Sequence, residues 1–212
     1  MGLGGVILAA GESTRMGRDK ALLPWPPGSP KAVSGPGFPT GTLLSAAIQS
    51  LKPYCDMVMV IGGRNYATLR PVVDGCGAIL ALNPAPEQGQ FSSLQIGLRE
   101  VLNRGRDSAL ITLVDRPPAQ VATFRTLLST FENRDRNIWA VVPESEGKHG
   151  HPIVIGIELI DLFRKAPPTA NARELEHANQ SHIAYVPVDD SRVTMNINTP
   201  EEYAALASDM CI

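Results

Sequence analysis

Apolar residues in this chain come in short unbroken runs, and each run stops at residues that break regular structure. The run at 4–10 ends in glycine. The run at 57–61 is closed by Gly62-Gly63, that at 78–82 by Asn83-Pro84, and that at 109–114 by Asp115 with two prolines close behind. Further runs fall at 138–142, 152–155 and 183–188. Most are continuous rather than alternating, which suits strands covered on both faces. Between them the apolar spacing becomes helical, at 42–51, 66–73 (with a proline inside), 92–102, 119–131, 158–164, 172–178 and 201–207. In 92–102, Leu94, Ile96, Leu98, Val101 and Leu102 gather on one side, behind Ser92 and Ser93, which read as helix caps. Strands alternating with helices predict βαβ units. The expected fold is a three-layer α/β/α domain over residues 1–212, Rossmann-like, with a mainly parallel sheet of about seven strands. No internal repeat is visible.

Residues 24–40 break this rhythm with six prolines and three glycines. They fit neither a regular helix nor a central strand. The segment reads as an inserted loop, either lid-like or mobile, or else an ordered structural loop.

Composition narrows the function classes. Of 212 residues, 43% are hydrophobic and 19% charged, a globular balance. A chain this long needs neither disulfides nor metal to fold. The net charge of −2 leaves no basic footprint for nucleic acid, and 5% aromatics disfavour a stacking platform for single strands. Cys55, Cys76 and Cys211 are odd in number and form no CxxC, which argues against a zinc site or a disulfide framework. No apolar run is long enough to span a membrane, and the apolar start lacks a basic leader. A cytoplasmic protein is expected.

The chemistry concentrates directly after the first strand, in Leu8-Ala9-Ala10-Gly11-Glu12-Ser13-Thr14-Arg15-Met16-Gly17-Arg18-Asp19-Lys20. Small residues let backbone approach a ligand, and successive N–H groups can cradle an anion. Arg15 offers a bidentate fork for phosphate and Lys20 a point charge. The spacing is not GxxxxGK[ST], so this is not a P-loop, and GxGxxG is absent.

The pattern L-A-A-G-x-S-x-R-M-G-x-x-K resembles the signature of the molybdenum-cofactor nucleotidyltransferases, within the wider NTP transferase superfamily. Three later segments share the resemblance: Asn83-Pro84 followed by residues 88–98 (QGQFSSLQIGL), Gly147-Lys148-His149-Gly150-His151-Pro152, and Asn196-Ile197-Asn198-Thr199-Pro200-Glu201-Glu202. The resemblance implies a fold of the nucleotide-diphospho-sugar transferase type. It also implies transfer of CMP from CTP to a molybdopterin-type acceptor phosphate, with Mg²⁺ and release of pyrophosphate. Arg15, Lys20 and Asp115 would be catalytic. Leu8, Ala9, Ala10, Gly11, Gln88, Gly89 and Ser93 would bind nucleotide together with Arg15 and Lys20. Asp115 and Asn196 would hold metal, and His151 and Asn198 would meet the acceptor. A molybdoenzyme would be the onward partner.

Some residues depart from this pattern. Glycine often precedes the metal-binding Asp; here Val114 does, and Arg116-Pro117-Pro118 follows. Both late-motif positions are Asn, closer to the guanylyltransferase branch, so GTP is the alternative donor. A sugar phosphate is an alternative acceptor, and a non-catalytic nucleotide-binding chaperone for a molybdoenzyme is a third reading. Blander roles stand beside each residue. Asp115 could merely cap a helix, Asn196 and Asn198 could shape a turn with Thr199 capping the helix from Pro200, and His151 could make a structural hydrogen bond. Trp25 and Phe91 read as packing residues.

Overall fold

The computed structural model describes residues 2–11, 13, 16–27 and 41–209, with side chains through 206. An eight-stranded sheet runs in the order β3-β2-β1-β4-β7-β5-β6, with β8 added on β5. The strands are β1 (Leu3–Leu8), β2 (Met57–Gly62), β3 (Ile79–Leu82), β4 (Ser108–Leu113), β5 (Ala140–Ser145), β6 (Lys148–His149), β7 (Ile153–Gly156) and β8 (Ile183–Pro187). Seven helices complete it: α1 (Leu43–Leu51), α2 (Tyr66–Gly75), α3 (Gln90–Asn103), α4 (Val121–Glu132), α5 (Ile157–Lys165), α6 (Ala172–Ala178) and α7 (Pro200–Asp209).

The layers follow from the two-residue period of the central strands. Ile7 joins one core with residues of α1, α2 and α4, such as Ile48, Val72 and Phe124. Its neighbours Val6 and Leu8 join the opposite core with Leu98 of α3 and Phe163 of α5. Every residue of β1 is buried. That explains why its run is unbroken, and Gly4 and Gly5 leave the room that Val101, Leu51 and Cys55 fill from either side. A third, smaller core joins Met16, Leu23 and Leu43 to Ile197, with Trp25 and Tyr203 against it. It links the segment after β1 to the late part of the chain.

β1 pairs with β2 and β4 in parallel, and β2 with β3 likewise. The expectation of a mainly parallel sheet needs one refinement. β7 lies antiparallel to both β4 and β5. The chain between β5 and β7 is too short for a parallel crossover. It turns instead at Glu146 and Gly147, both with positive φ (52° and 73°), and the short β6 folds back on β5. A two-residue strand is invisible to periodicity. Ser92 and Ser93 are not the caps the sequence suggested, because α3 begins earlier, after Gly89 at φ 98°. The loop insertion is closed at its base by Trp25 N–H donating to Gly41 O at 2.7 Å and by a bridge between Pro24 and Thr42. Residues 28–40, where the lid reading falls, lie outside the described residues. Cys55 and Cys76 are unpaired, and Cys211 lies outside the described residues. Among the described residues no helix is long and apolar enough to cross a membrane.

Helix α3 approaches β1 so closely that a Cβ on Gly97 would sit 2.6 Å from Val6 Cγ1. Gly97→Ala is therefore expected to cost about 1–3 kcal/mol through overpacking, although alanine is the better helix former. Urea unfolding checks this, and a stabilised variant would mean the helix–sheet distance is not fixed by this glycine.

Candidate active site

The order β3-β2-β1-β4 reverses direction at β1, because the chain leaves it for β2 on one side and β4 joins on the other. Open α/β sheets bind ligands at such a reversal, beyond the carboxyl ends of the strands. There the segment after β1 meets the segment after β4. Ala9 N–H donates to Ile61 O at 2.9 Å and Val114 N–H to Leu8 O at 3.0 Å. These bonds carry both segments side by side to Gly11 and Asp115.

A cleft of ≈ 230 Å³ opens at this point. Of the residues singled out from sequence, Leu8, Ala10, Gly11, Lys20, Gly89, Ser93 and Asp115 line it. Ser13 and Gln90, which lie within the quoted motifs but were given no role, line it too, as do Val114 and Pro86. A Cβ on Gly11 would meet nothing within 4 Å, so this glycine faces open space where a ligand's backbone-bonding groups would lie. A second hollow shares Ala10 and Gly11 and continues towards Asp19, Arg64, Asn65 and Thr68.

Lys20 is the electrostatic centre. Its residue is buried, and its Nζ donates to Asn198 Oδ1 at 2.9 Å and stands 3.6 Å from Asp115 Oδ2. The second contact is a charge pairing without a hydrogen bond. At an effective dielectric near 20 it is worth on the order of 4 kcal/mol before desolvation. Local turns aim the side chain. Asp19 caps the short turn of Lys20–Leu22 by accepting from Ala21 N–H, and Ser13 Oγ accepts from Lys20 N–H at 3.1 Å. Asn65 then ties that turn to the sheet: its Nδ2 donates to Asp19 Oδ2 at 2.7 Å and to Ala9 O at 2.9 Å. Asn65 follows the glycines that close β2, and that strand-end position was the signal by which it could have been found.

The far wall is built by Asn83, 2% exposed. Its Nδ2 donates to Ser92 Oγ and Ser93 Oγ, both at 2.9 Å, and its Oδ1 accepts from Ala85 N–H. The amide therefore fixes the first turn of α3 against the end of β3, and this is why the serines are not free to cap.

Other expected residues fall differently. Arg15 lies outside the described residues. Ala9 is buried under the cleft with its carbonyl taken by Asn65, and neither Gln88 nor Asn196 is among the lining residues. Asn196 is exposed, and Asn198 rather than Asn196 reaches Lys20. Asp115 does not cap α4. Asp190 accepts from Gln120 N–H there instead. Thr199 does cap α7, accepting from Glu202 N–H. Trp25 packs on the third core, and Phe91 meets Phe163 edge-on at 5.5 Å. His149 pairs with Glu144 and stacks on Tyr185 at 3.8 Å, and no cluster of three His, Cys, Asp or Glu occurs among the described residues.

His151 sits with Nδ1 3.5 Å from Ile111 O. Burial and the adjacent Arg116 cation push its imidazole down to about 3, against the opposing pull of that carbonyl. An unfolded histidine titrates near 6.5, so between the two values the unfolded state holds more protons. Stability is therefore expected to fall as pH drops from about 6.5 towards 3. His151→Gln should lose less stability between pH 7 and pH 5 than the parent. A ring resonance titrating near 6.5 in the folded chain would contradict this.

With this geometry in view, likeness to known proteins becomes informative. The family model described as MobA-like NTP transferase domain matches residues 5–183. The chain is 24% identical over 199 residues to the molybdenum cofactor cytidylyltransferase of Escherichia coli (strain K12), covering 93% of this chain and 92% of that one. It is 28% identical over 209 residues to a probable molybdenum cofactor guanylyltransferase of Mycobacterium avium (strain 104), covering 98% and 96%. The crystal structure of Rv0371c from Mycobacterium tuberculosis H37Rv superposes with a TM-score of 0.78 at 21% identity, over 98% of each chain.

Proposed function

This chain belongs to the family of MobA-like NTP transferase domains, and from that premise we propose that it transfers CMP from CTP to the phosphate of a molybdopterin-type acceptor, with Mg²⁺, releasing pyrophosphate. The observation that carries this reading is Lys20 Nζ, held at 2.9 Å by Asn198 and 3.6 Å from Asp115 at the mouth of a glycine-bearing loop. A buried ammonium beside the Asp115 carboxylate suits a triphosphate, whose charge it would share.

The groups of this chain divide the work. The loop at Ala10-Gly11 and the start of α3 offer N–H groups to the nucleotide, with Gly89 and Ser93 at the wall. An acceptor phosphate oxygen forms a bond to the α-phosphorus while the bond to the β-phosphate bridge breaks. The negative charge that grows on the departing pyrophosphate is met by Lys20, and by Arg15 of the same motif. The cation site fits the donors present. Asp115 has a carboxylate 30% exposed at the cleft, whereas Asn196, which the motif gives to the ion, is exposed and does not line the cleft. Mg²⁺ is commonly held by one or two carboxylates and completed by substrate phosphates, so a full protein cage is not required. When bound, the ion neutralises phosphate charge and fixes the in-line geometry. The reading also gives the neutral His151 and Asn198 to the acceptor, although neither lines the cleft.

The donor choice has two candidates. The E. coli relative is named for cytidylyl transfer, and the serine and GHP segments resemble that branch. The doubled Asn of the late motif favours GTP as the second reading, in line with the name of the mycobacterial relative. Thermal unfolding with CTP, GTP, ATP and UTP in Mg²⁺ separates them. A ligand at about 100 times its dissociation constant adds about 2.7 kcal/mol. CTP alone is expected to do so; stabilisation by GTP alone would replace CTP by GTP in the proposal.

Asp115→Ala is expected to lower the rate of pyrophosphate release at least ~10²-fold, about 2.7 kcal/mol of barrier, with the fold intact. An unchanged rate would remove Asp115 from the machinery.

A further inference from the structure

Residues 190–198 form a strap laid along the segment 115–123, attached at three points. At one end the buried Asp190 carboxylate accepts from Gln120 N–H and Thr123 Oγ1, both at 2.7 Å. At the other, Ile197 N–H donates to Asp115 O at 2.8 Å. Between them Arg116 Nη1 donates to Val193 O at 2.8 Å and reaches Met195 O at 3.4 Å. The Val193 carbonyl is also fixed from the opposite strand end. His151 N–H donates to it at 2.9 Å, and Gly150 lies so near that a Cβ there would sit 2.1 Å from this oxygen.

The strap delivers Asn198 to Lys20. The amide oxygen of Asn198 and the carboxylate of Asp115 compete for the same ammonium, and the amide holds the hydrogen bond. Arg116 is an expensive way to hold two backbone carbonyls. Its Nε is buried with no hydrogen-bond partner, and taking a guanidinium from water is unfavourable unless it is well paired, a penalty the adjacent Asp115 charge offsets only in part. Stability alone does not account for it.

We propose that Arg116 is a positioning residue: it fixes the Val193 and Met195 carbonyls over the end of β4, so that Asn198 holds Lys20 Nζ off Asp115 and leaves that carboxylate to Mg²⁺. This rests on the reading of Asp115 as a metal ligand. Without the clamp, Asn198 drifts from Lys20, the ammonium closes on Asp115, and the ion must displace it.

Two measurements on the full chain test this. The first needs no metal. In Arg116→Met, exchange of the Ile197 amide hydrogen should rise about 10-fold while the amides inside β4 keep their protection; tenfold corresponds to about 1.4 kcal/mol of local opening. The second is the Mg²⁺ concentration that half-saturates CTP binding, read by calorimetry, with GTP used if the parent binds that instead. It should rise about 10-fold in Arg116→Met and in Asn198→Ala, and the double variant should be no worse than Asn198→Ala alone, because Arg116 works through Asn198. Arg116→Lys should restore part of both effects. If Arg116→Met does not fold, the same cycle is run with Arg116→Lys. Additive effects on the Mg²⁺ requirement, or unchanged exchange at Ile197, would overturn the proposal. Absence of nucleotide binding and of pyrophosphate release in the parent would instead overturn the transferase reading, and the exchange result would still judge the clamp.

Discussion

The site depends on keeping one ammonium in a place it would not choose. Lys20 is buried, and the Asp115 carboxylate stands 3.6 Å away without a hydrogen bond. The neutral oxygen of Asn198 takes that bond. An acid at position 198 would pair with Lys20 and quench its charge; an amide orients the ammonium and leaves the charge to act on phosphate. Asn198 of the late motif thus has a physical use in this chain. It reads as a way to hold Lys20 without neutralising it, rather than as the loss of a metal ligand.

Much of the molecule serves that placement. The reversal of strand order at β1 brings the ends of β1 and β4 together. Asp19 and Asn65 fix the turn from which Lys20 springs. The third core, in which Met16, Leu23 and Leu43 pack on Ile197, ties the early motif to the late strap. Asn83 holds the first turn of α3 as the opposite wall. These contacts span long stretches of sequence. A loosened strap or a shifted turn would therefore be felt at one atom, Lys20 Nζ.

The sequence made legible whatever is local. Continuous apolar runs located seven of the strands, because burial on both faces leaves no polar position to interrupt them. Asp115 could be picked out because it ends such a run. The two-residue β6 and the antiparallel direction of β7 were not legible, since turn length and pairing direction carry no periodic signal. Ser92 and Ser93 looked like caps because the partner that claims them, Asn83, acts across a loop. Arg116 and Asp190 carried no sequence signal for the contacts they make. Their roles appear only when residues far apart in the chain lie side by side. Residues of the first two motifs line the cleft and the late motif reaches it through Asn198, whose contact with Lys20 only the geometry shows, while no residue of the 147–152 segment lines it.

In the proposed function this cleft gathers a nucleotide's phosphates and a divalent ion between Lys20 and Asp115. The most direct test is a crystal of the full chain with a non-hydrolysable CTP analogue and Mn²⁺ in place of Mg²⁺, with anomalous scattering used to place the ion. An anomalous peak is expected at coordination distance from the Asp115 carboxylate, with a phosphate oxygen within hydrogen-bond reach of Lys20 Nζ. A nucleotide bound with its phosphates away from Lys20, or an ion seated elsewhere with Asp115 still facing the ammonium, would contradict it.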